Sequence, residues 1–199
     1  MTPARPKLTT YLVLFRGINV GGKNKVPMAE LKALLTELGF EDIRTYIQSG
    51  NAVLRSSETA PAIARKVEAA LPTRFKLDSE LVRVLVLSRA ELEAVIAGRP
   101  KGFGEKPGTY HSDAIFLMGV DTAAAMPAFS PLEGVDLVWP GKGVVYSQRL
   151  SAQRTKSRLN RIMSSPVYKS MTIRSWQTTM ALMDLVNAVD DGETSKSSR

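Results

Sequence analysis

The sequence predicts an α+β protein made of two tandem ferredoxin-like β-α-β-β-α-β units with antiparallel sheets. Three observations lead to this fold class. Strand-like and helix-like segments follow the same order in both halves, each half contains a hairpin with a glycine at its turn, and an aperiodic stretch rich in glycine, proline and lysine separates them. A chain of 199 residues is long enough for two small hydrophobic cores.

The first unit begins with a run of apolar, strand-forming residues from Tyr11 to Phe15. Apolar residues at helical spacing follow, and they predict a helix that Pro27 opens and Gly39 closes. Alternating residues in IRTYIQ then predict a strand, and Gly50-Asn51 is expected to form a two-residue turn into the strand NAVLRS. This segment therefore reads as a strand, a helix and a β-hairpin.

The rest of the first unit supplies a second helix and a fourth strand. The helix is predicted to stop at Pro72, and LVRVLVL is the strand. Ser88 and Glu91 have the spacing of a capping box, which predicts a trailing helix that ends at Gly98. Together these elements assign residues 8–98 to the first unit.

Residues 99–112 are predicted to be a linker, and 113–190 the second unit. In that unit DAIFLM is a strand, Asp121 begins a short helix, and VDLVW with GVVYSQ forms a second hairpin. A basic helix around Leu159 leads to the strand MTIRSW and a last helix. Residues 191–199 are polar and are expected to be disordered.

The formal net charge of +8 is concentrated in one part of the chain. Residues 137–183, which we call the basic segment, contain no acidic residue. Their eight cations equal the whole net charge: Lys142, Arg149, Arg154, Lys156, Arg158, Arg161, Lys169 and Arg174. This concentration favours a phosphate-bearing partner, and a solvated face that keeps the protein soluble is the alternative.

The composition excludes several kinds of site. With no cysteine and one histidine, the chain has no disulfide, no thiolate zinc site and no histidine-based metal cluster. We predict neither a cofactor nor a metal. No apolar stretch approaches the roughly 20 residues of a membrane helix and the N-terminal residues lack a secretory signal, so a cytoplasmic location is expected. His111 falls in the predicted linker, where a solvated surface role is expected.

A loop rich in glycine, asparagine and lysine follows the first strand and predicts an anion site. Glycines with positive φ expose backbone N–H groups, and nearby cations favour negative charge. The candidate ligand-binding residues are Arg16, Gly17, Asn19, Gly21, Gly22 and Lys23. The loop fits the phosphate-binding P-loop pattern except at Asn24, which replaces the hydroxyl that holds magnesium. We therefore predict a glycine-rich anion site and not a P-loop ATPase.

The TYIQSGN hairpin carries a second set of polar candidates, namely Tyr46, Gln48, Ser49 and Asn51. In a ferredoxin-like unit the first strand lies beside the third, so these side chains can approach Arg16 and complete the loop site. The alternative for Asn51 is a structural role in the turn.

A third set of candidates lies in the basic segment. Arg154, Lys156 and Arg158 lie on or near the predicted basic helix, and Arg174 and Trp176 share one face of the predicted strand MTIRSW. An arginine beside a tryptophan can hold a phosphate or stack on a base. The alternative is a cation–π pair that only covers the sheet.

Three motifs together resemble a known family. RGINVGGKNKVPM, TYIQSGN and TIRSW are similar to the bacterial family named domain of unknown function 1697, and the resemblance extends from Tyr11 to about Val189. It implies the duplicated α+β fold and an unassigned activity. The family's late motif usually has asparagine where this chain has Ser175, whereas Thr172, Arg174 and Trp176 match.

No catalytic set of residues is recognisable in the sequence. The preferred hypothesis is an anion-binding module for single-stranded nucleic acid or nucleotide phosphates. The alternative is a small enzyme acting on a phosphorylated or other anionic substrate, in which Arg16, Asn19, Gln48 and Arg174 bind developing charge. A protein-interaction or structural role is the third hypothesis.

Overall fold

The computed structural model describes residues 7–78 and 82–194, and the side chains up to residue 191. Its Cα packing divides the chain into two compact units, which we call unit 1 (the described residues of 1–92 and 182–199) and unit 2 (93–181). The chain passes from one unit to the other within two helices. The predicted linker, 99–112, therefore falls inside unit 2, and the tail beyond residue 194 lies outside the described residues.

Unit 1 contains a four-stranded antiparallel sheet in the order β2-β3-β1-β4. Its strands are β1 (Thr9–Arg16), β2 (Glu41–Tyr46), β3 (Asn51–Ser56) and β4 (Arg83–Ser88). Helix α1 (Met28–Glu37) follows β1, and α2 (Ala60–Arg74) follows β3. Helix α3 (Arg89–Ala97) follows β4 directly.

The core of unit 1 lies between one face of this sheet and helices α1 and α2. Alternate residues of β1, such as Val13 and Phe15, are buried against apolar residues at helical spacing, such as Leu31 and Leu35 of α1 and Ile63 of α2. Burial of an aliphatic or aromatic side chain contributes about 1.5–3 kcal/mol, so this core is the main source of stability in the unit.

Unit 2 contains a second four-stranded antiparallel sheet, in the order β6-β7-β5-β8. Its strands are β5 (Tyr110–Leu117), β6 (Asp136–Pro140), β7 (Val144–Leu150) and β8 (Met171–Ser175). Helix α4 (Thr122–Ala125) follows β5, and α5 (Trp176–Thr194) begins immediately after β8. Four short 3-10 helices complete the unit: Met126–Ala128, Ser151–Gln153, Leu159–Ser164 and Pro166–Ser170.

The two faces of the second sheet are packed by different kinds of residue. On one face, Ile115 and Val145 pack in an aliphatic cluster with Leu159 and Ile162 of a 3-10 helix. On the other, Tyr146 is buried and donates a hydrogen bond of 2.6 Å from its hydroxyl to the Val95 carbonyl oxygen. The rings of Phe103, Trp139, Tyr146 and Trp176 form edge-to-face contacts there.

Several local predictions are confirmed by the backbone and by capping contacts. Helix α1 begins after Pro27, and Gly39 takes a φ of 85° just beyond its end. The Ser88 N–H donates to a Glu91 carboxylate oxygen at 2.8 Å, as a capping box requires. Asp121 accepts from the Ala124 N–H at 2.7 Å and caps α4. The hairpin between β6 and β7 also lies where the sequence placed it.

Two predicted boundaries in unit 1 are wrong. Helix α2 passes Pro72 and ends at Arg74, because proline removes only one hydrogen bond and the Phe75 N–H still donates to the Leu71 carbonyl oxygen. The hairpin turn contains residues 47–50 and not Gly50-Asn51, since Asn51 already pairs with Leu14 and Tyr46 as a residue of β3.

The predicted basic helix of unit 2 is a set of short 3-10 helices. Serines recur in this segment, and Pro166 interrupts it. Serine hydroxyls compete for backbone groups, as the Ser157 hydroxyl does by accepting from the Leu159 N–H.

At the other end of unit 2, Trp176 is the first residue of α5, so it does not share a strand face with Arg174. Helix α5 continues through residues 191–194, which the sequence assigned to the disordered tail. No helix in the described residues is both long and apolar enough to cross a membrane.

Candidate functional site

The glycine-rich loop after β1 is a tight hairpin. The Asn19 N–H donates to the Asn24 carbonyl oxygen at 2.9 Å, and the Lys23 N–H donates to the Val20 carbonyl oxygen at 3.0 Å. Between them Gly21 and Gly22 have φ values of 58° and 76°, as a two-residue turn of this hand requires. Two of the N–H groups expected to receive an anion therefore hold the turn together.

The asparagine side chains of this loop fix it to the rest of unit 1. Asn19 Nδ2 donates to the carbonyl oxygens of Val26 and Gln48, both at 2.9 Å, while Asn19 Oδ1 accepts from the Val26 N–H at 2.8 Å. Asn24 Nδ2 donates to the Gly17 carbonyl oxygen at 2.8 Å, and its Oδ1 accepts from the Asp78 N–H at 2.8 Å. Both amides are used to position the backbone.

The TYIQSGN hairpin lies against the end of β1, as expected for neighbouring strands. The Phe15 N–H donates to the Gly50 carbonyl oxygen at 2.9 Å, and Asn19 bonds to the Gln48 carbonyl oxygen. Asn51 is fully buried, and its Nδ2 donates to the Tyr46 carbonyl oxygen and to Ser49 Oγ, both at 3.0 Å. The structure thus brings the two motifs together through hydrogen bonds that stabilise the fold.

The exposed candidate residues of this region are the turn glycines, one lysine and two polar side chains. Gly21, Gly22, Lys23 and the Gln48 and Ser49 side chains are exposed, while Arg16, Gly17 and Tyr46 are half-buried. Arg16 pairs in register with Arg83 of β4, so two cations lie side by side at the end of the sheet. A Cβ added at Gly21 or Gly22 would meet nothing within 4 Å, so the tip of the loop faces open space.

Arg174 and Trp176 lie inside unit 2. Arg174 is 7% exposed, and its Nη1 donates to Thr172 Oγ1 at 2.9 Å and to the Ile173 carbonyl oxygen at 2.8 Å. Burial lowers the pKa of Arg174 to about 10. Trp176 is 8% exposed, with its ring 5.1 Å from that of Phe103, and a Cβ added at Gly104 would come within 2.2 Å of it. Both side chains are therefore largely shielded from solvent by the fold of unit 2.

The basic segment presents most of its cations to solvent. Arg154, Lys156 and Arg158 are exposed, as are the three cations Lys142, Arg161 and Lys169. Asp136 holds the segment in place, because its Oδ2 accepts from the N–H groups of Leu132 at 3.0 Å and Arg158 at 2.8 Å. This carboxylate therefore ties the backbone at Arg158 to the start of β6.

The structure also forms a site that the sequence analysis missed. A groove of about 260 Å³, which we call the β5–β7 groove, lies on the aliphatic face of the second sheet. Its polar lining is His111, Asp113, Ser147, Arg149 and Asn160. Its apolar lining is Ile115, Leu159, Ile162, Met163 and Ile173. His111 is therefore not a linker residue, since β5 begins at Tyr110 and includes it.

Cross-strand pairing assembles the polar side of this groove. His111 pairs with Arg149 and Asp113 with Ser147 between β5 and β7, and Asp136 of β6 also pairs with Arg149. His111 Nε2 lies 3.1 Å from Asp113 Oδ1, and Arg149 Nη1 donates to Asn160 Oδ1 at 3.5 Å. A carboxylate beside an imidazole can bind a ligand and can transfer a proton.

The two aspartates beside Arg149 have opposite pKa shifts. Burial raises the pKa of Asp113 above 3.8, and the His111 and Arg149 charges only partly oppose it. Burial acts on Asp136 too, but hydrogen bonds from the Leu132 backbone, Ser157 and the Arg158 backbone, together with the Arg149 charge, lower its pKa below 3.8. The surroundings of Asp136 therefore favour its charged form, although its buried Oδ1 has no hydrogen-bond partner within the described residues, whereas the charges near Asp113 do not offset its burial.

One sequence signal was available for this groove. His111 and Asp113 are two residues apart, so on any strand they share a face. The predicted strand begins at Asp113 and leaves His111 in the linker, which conceals that pattern. Arg149 is 36 residues further along than Asp113, and only the register of β5 against β7 places it beside them.

Comparison with known proteins finds a matching family model. A family model described as "Protein of unknown function (DUF1697)" matches residues 8–146, more than half of the sequence. The chain belongs to this DUF1697 family. The match includes the glycine-rich loop, the TYIQSGN hairpin and the His111–Asp113 pair, and it ends before Arg149. The family predicted from the motifs is thus confirmed.

A solved structure shares the fold of this DUF1697 protein. It is the conserved bacterial protein SP0830 from Streptococcus pneumoniae, with 26% sequence identity and a TM-score of 0.76. The similarity covers 90% of this chain and 99% of that one. No curated protein sequence matches the chain at a significant level. The fold is therefore shared along almost the whole chain, while the family and the related structure leave its activity open.

Proposed function

We propose that this protein is an anion-binding module for single-stranded nucleic acid or nucleotide phosphates, with the basic segment as its binding surface. The observation that carries this proposal is the exposure of six cations of that segment, Lys142, Arg154, Lys156, Arg158, Arg161 and Lys169. None of the six takes part in a salt bridge within the described residues.

Unpaired surface cations attract a polyanion for a physical reason. Each phosphate that a lysine or arginine neutralises releases condensed counterions, and this release is a large part of the binding free energy. Ordinary surfaces mix both signs of charge, and the absence of acidic side chains from residues 137–183 removes that local compensation. Lys23 and the exposed turn at Gly21 and Gly22 are a second candidate contact for a phosphate, in unit 1.

We also interpret the two sheets as tandem ferredoxin-like units. The strand orders β2-β3-β1-β4 and β6-β7-β5-β8 are equivalent, and in both the first strand of the unit lies between the third and the fourth. The second unit departs from the β-α-β-β-α-β order, because 3-10 helices occupy the place of its second helix.

The test uses a fluorescent deoxythymidine oligonucleotide and a series of salt concentrations. Replacing Arg158 and Arg161 together by glutamine is expected to weaken binding and to reduce the slope of log affinity against log salt by about 1.4, the share of two contacts with a single strand. The matched control replaces Lys7 and Arg65, two exposed cations outside the segment, and is expected to change neither quantity. Equal binding by both double variants, or no binding by the parent at low salt, would refute the proposal.

One observation favours the alternative of a small enzyme acting on a phosphorylated or other anionic substrate. The His111–Asp113 pair lies in the β5–β7 groove beside Arg149, which gives an acid–base group next to a cation. A small anion that raises the melting temperature with little dependence on salt would favour this function over polyanion binding.

A further inference from the structure

Two turns leave the same end of the first sheet and are joined to each other. Residues 17–27 follow β1, and residues 47–50 lead into β3, which is antiparallel to β1. We call these two segments the paired turns. The Asn19 side chain joins them, since its Nδ2 donates to the Gln48 carbonyl oxygen at 2.9 Å. Both segments therefore project from one end of unit 1.

Each of the paired turns presents an aliphatic side chain to solvent next to this hydrogen bond. Val20 follows Asn19 and is 64% exposed, and Ile47 precedes Gln48 and is 50% exposed. The backbone of Ile47 has a φ of 45°, a left-handed conformation that is unfavourable for a β-branched residue. An exposed isoleucine in that conformation stabilises neither a core nor its turn, and such a position is a candidate for function.

The charge of the paired turns is entirely positive. They contain Lys23 and Lys25, which are both exposed, and no acidic residue. Lys23 pairs with Val20 across the loop, so an exposed cation lies beside an exposed aliphatic side chain. Asp78 is an acidic residue that contacts the loop, and it does so through its backbone N–H, which donates to Asn24 Oδ1. The paired turns thus combine apolar tips with lysines.

The size and shape of this surface fit a lipid bilayer better than a protein. A stable protein interface covers about 800 Å² on each partner and involves roughly 20–30 residues a side. The paired turns expose only nine residues, namely 20–23, 25, 27 and 47–49. Aliphatic side chains can enter the boundary between lipid headgroups and acyl chains without a complementary pocket, and lysines beside them are attracted to anionic headgroups.

We propose that the paired turns dock unit 1 on an anionic lipid surface. Val20 and Ile47 insert among the headgroups, and Lys23 and Lys25 lie against the lipid phosphates. This inference goes beyond the proposed polyanion binding, because it uses unit 1 and not the basic segment. Two aliphatic side chains bury much less apolar area than an acyl chain does, so the docking is reversible.

The first experiment locates the contact with a polarity-sensitive fluorophore. The chain has no cysteine, so Gln48→Cys and Ser57→Cys each provide one labelling site. Both residues are exposed, and Ser57 follows the last residue of β3, at the other end of the sheet. On vesicles of equimolar phosphatidylglycerol and phosphatidylcholine, the emission is expected to shift to the blue for the label at 48 and to stay unchanged for the label at 57. Equal shifts at both sites, or none at 48, would overturn the proposal.

The second experiment removes the apolar tips. Val20→Thr with Ile47→Asn is expected to weaken sedimentation with these vesicles about 10-fold and to leave oligonucleotide affinity unchanged. Ile47→Asn alone is also expected to raise the melting temperature, because asparagine tolerates a φ of 45° better than isoleucine. Loss of binding would therefore not reflect unfolding. The matched control is Leu137→Asn, which replaces a 45% exposed aliphatic residue of unit 2. Equal sedimentation of the double variant and this control would refute insertion of the tips.

The third experiment tests the lysines. Lys23→Gln with Lys25→Gln is expected to weaken binding to the phosphatidylglycerol vesicles about 10-fold or more. The matched control is Lys101→Gln with Lys106→Gln, two exposed lysines of unit 2 outside the basic segment, and it is expected to change little.

The outcomes separate this inference from the proposed function. If Arg158→Gln with Arg161→Gln abolishes sedimentation while the variants of the paired turns retain it, vesicles bind through the basic segment, and lipid docking by unit 1 is overturned while polyanion binding stands. If the vesicles bind through the paired turns and the oligonucleotide does not bind, only the proposed function falls. If the parent does not sediment with the vesicles at low salt, lipid docking is overturned.

Discussion

The glycine-rich loop of unit 1 and the β5–β7 groove of unit 2 both combine polar residues with cations, but they use their polar groups differently. In the loop, the Asn19 and Asn24 side chains are occupied by hydrogen bonds to backbone groups. In the groove, Arg149 Nε has no partner within the described residues, and the raised pKa of Asp113 marks a carboxyl that its surroundings do not fully stabilise. A polar motif whose side chains are hydrogen-bonded to nearby backbone stabilises the fold, whereas a polar group whose burial is incompletely compensated is a candidate for ligand binding.

The largest effect is expected at Asp136, whose Oδ2 accepts two backbone hydrogen bonds although its buried Oδ1 has no partner within the described residues. Asp136→Ala removes two charge-assisted hydrogen bonds to the backbone N–H groups of Leu132 and Arg158 and should lower the free energy of unfolding by about 3–5 kcal/mol. Urea denaturation measures the change. A loss below about 1 kcal/mol would show that the basic segment does not depend on this anchor.

Gly50→Ala should be nearly as destabilising. An added Cβ would lie 2.7 Å from Ile18 Cδ1 and 2.9 Å from Phe15 Cβ, at a φ of 75°. Overpacking and left-handed strain together predict a loss of about 2–4 kcal/mol. Gly21→Ala is the control, because its φ is also positive but its added Cβ would meet no atom within 4 Å; its loss should be about 1–2 kcal/mol. Equal melting temperatures for the two variants would contradict the tight packing of hairpin and loop.

Asn19→Ala tests whether the loop motif is structural. Three hydrogen bonds would be lost and the N–H of the buried Val26 would be left without its acceptor, so the free energy of unfolding should fall by about 2–3 kcal/mol. The control is Gln48→Ala, since the exposed Gln48 side chain contributes less and its carbonyl oxygen remains. If Asn19→Ala melts like the parent and instead abolishes ligand binding, the loop belongs with the groove as a binding site.

The smallest effect is expected at Asp113, and it depends on pH. Because the pKa of Asp113 is raised in the folded state, its ionisation opposes folding, and stability is lost as the pH rises from 3.8 through the folded pKa. Asp113→Asn should therefore change stability by no more than about 1 kcal/mol and should remove this decline. Asp136 has a lowered pKa, so its contribution is present above 3.8 and is lost as the pH falls through its folded pKa. Thermal melts of the parent, Asp113→Asn and Asp136→Ala across acidic pH measure both contributions. If the two variants change the slope of melting temperature against pH in the same direction, the opposite pKa shifts of the two aspartates are contradicted.

Local signals predicted much of the fold correctly. The capping box at Ser88, the cap at Asp121 and the helix stop at Gly39 each depend on residues a few positions apart, and all three are present. The predictions that failed also had local causes. Pro72 does not end α2, because the helix continues to Arg74. The serine-rich segment forms short 3-10 helices where a basic α-helix was predicted.

The sequence alone determined the order of the strands along the chain, the family, and the concentration of positive charge in residues 137–183, because each of these is written in neighbouring residues. Only the tertiary structure decided which polar residues are available to a ligand. Burial of Asn51 and Trp176 depends on the atoms packed around them, and the meeting of His111 and Arg149 depends on strand register. Register is fixed by which sheet face is buried, and that property belongs to the folded chain as a whole.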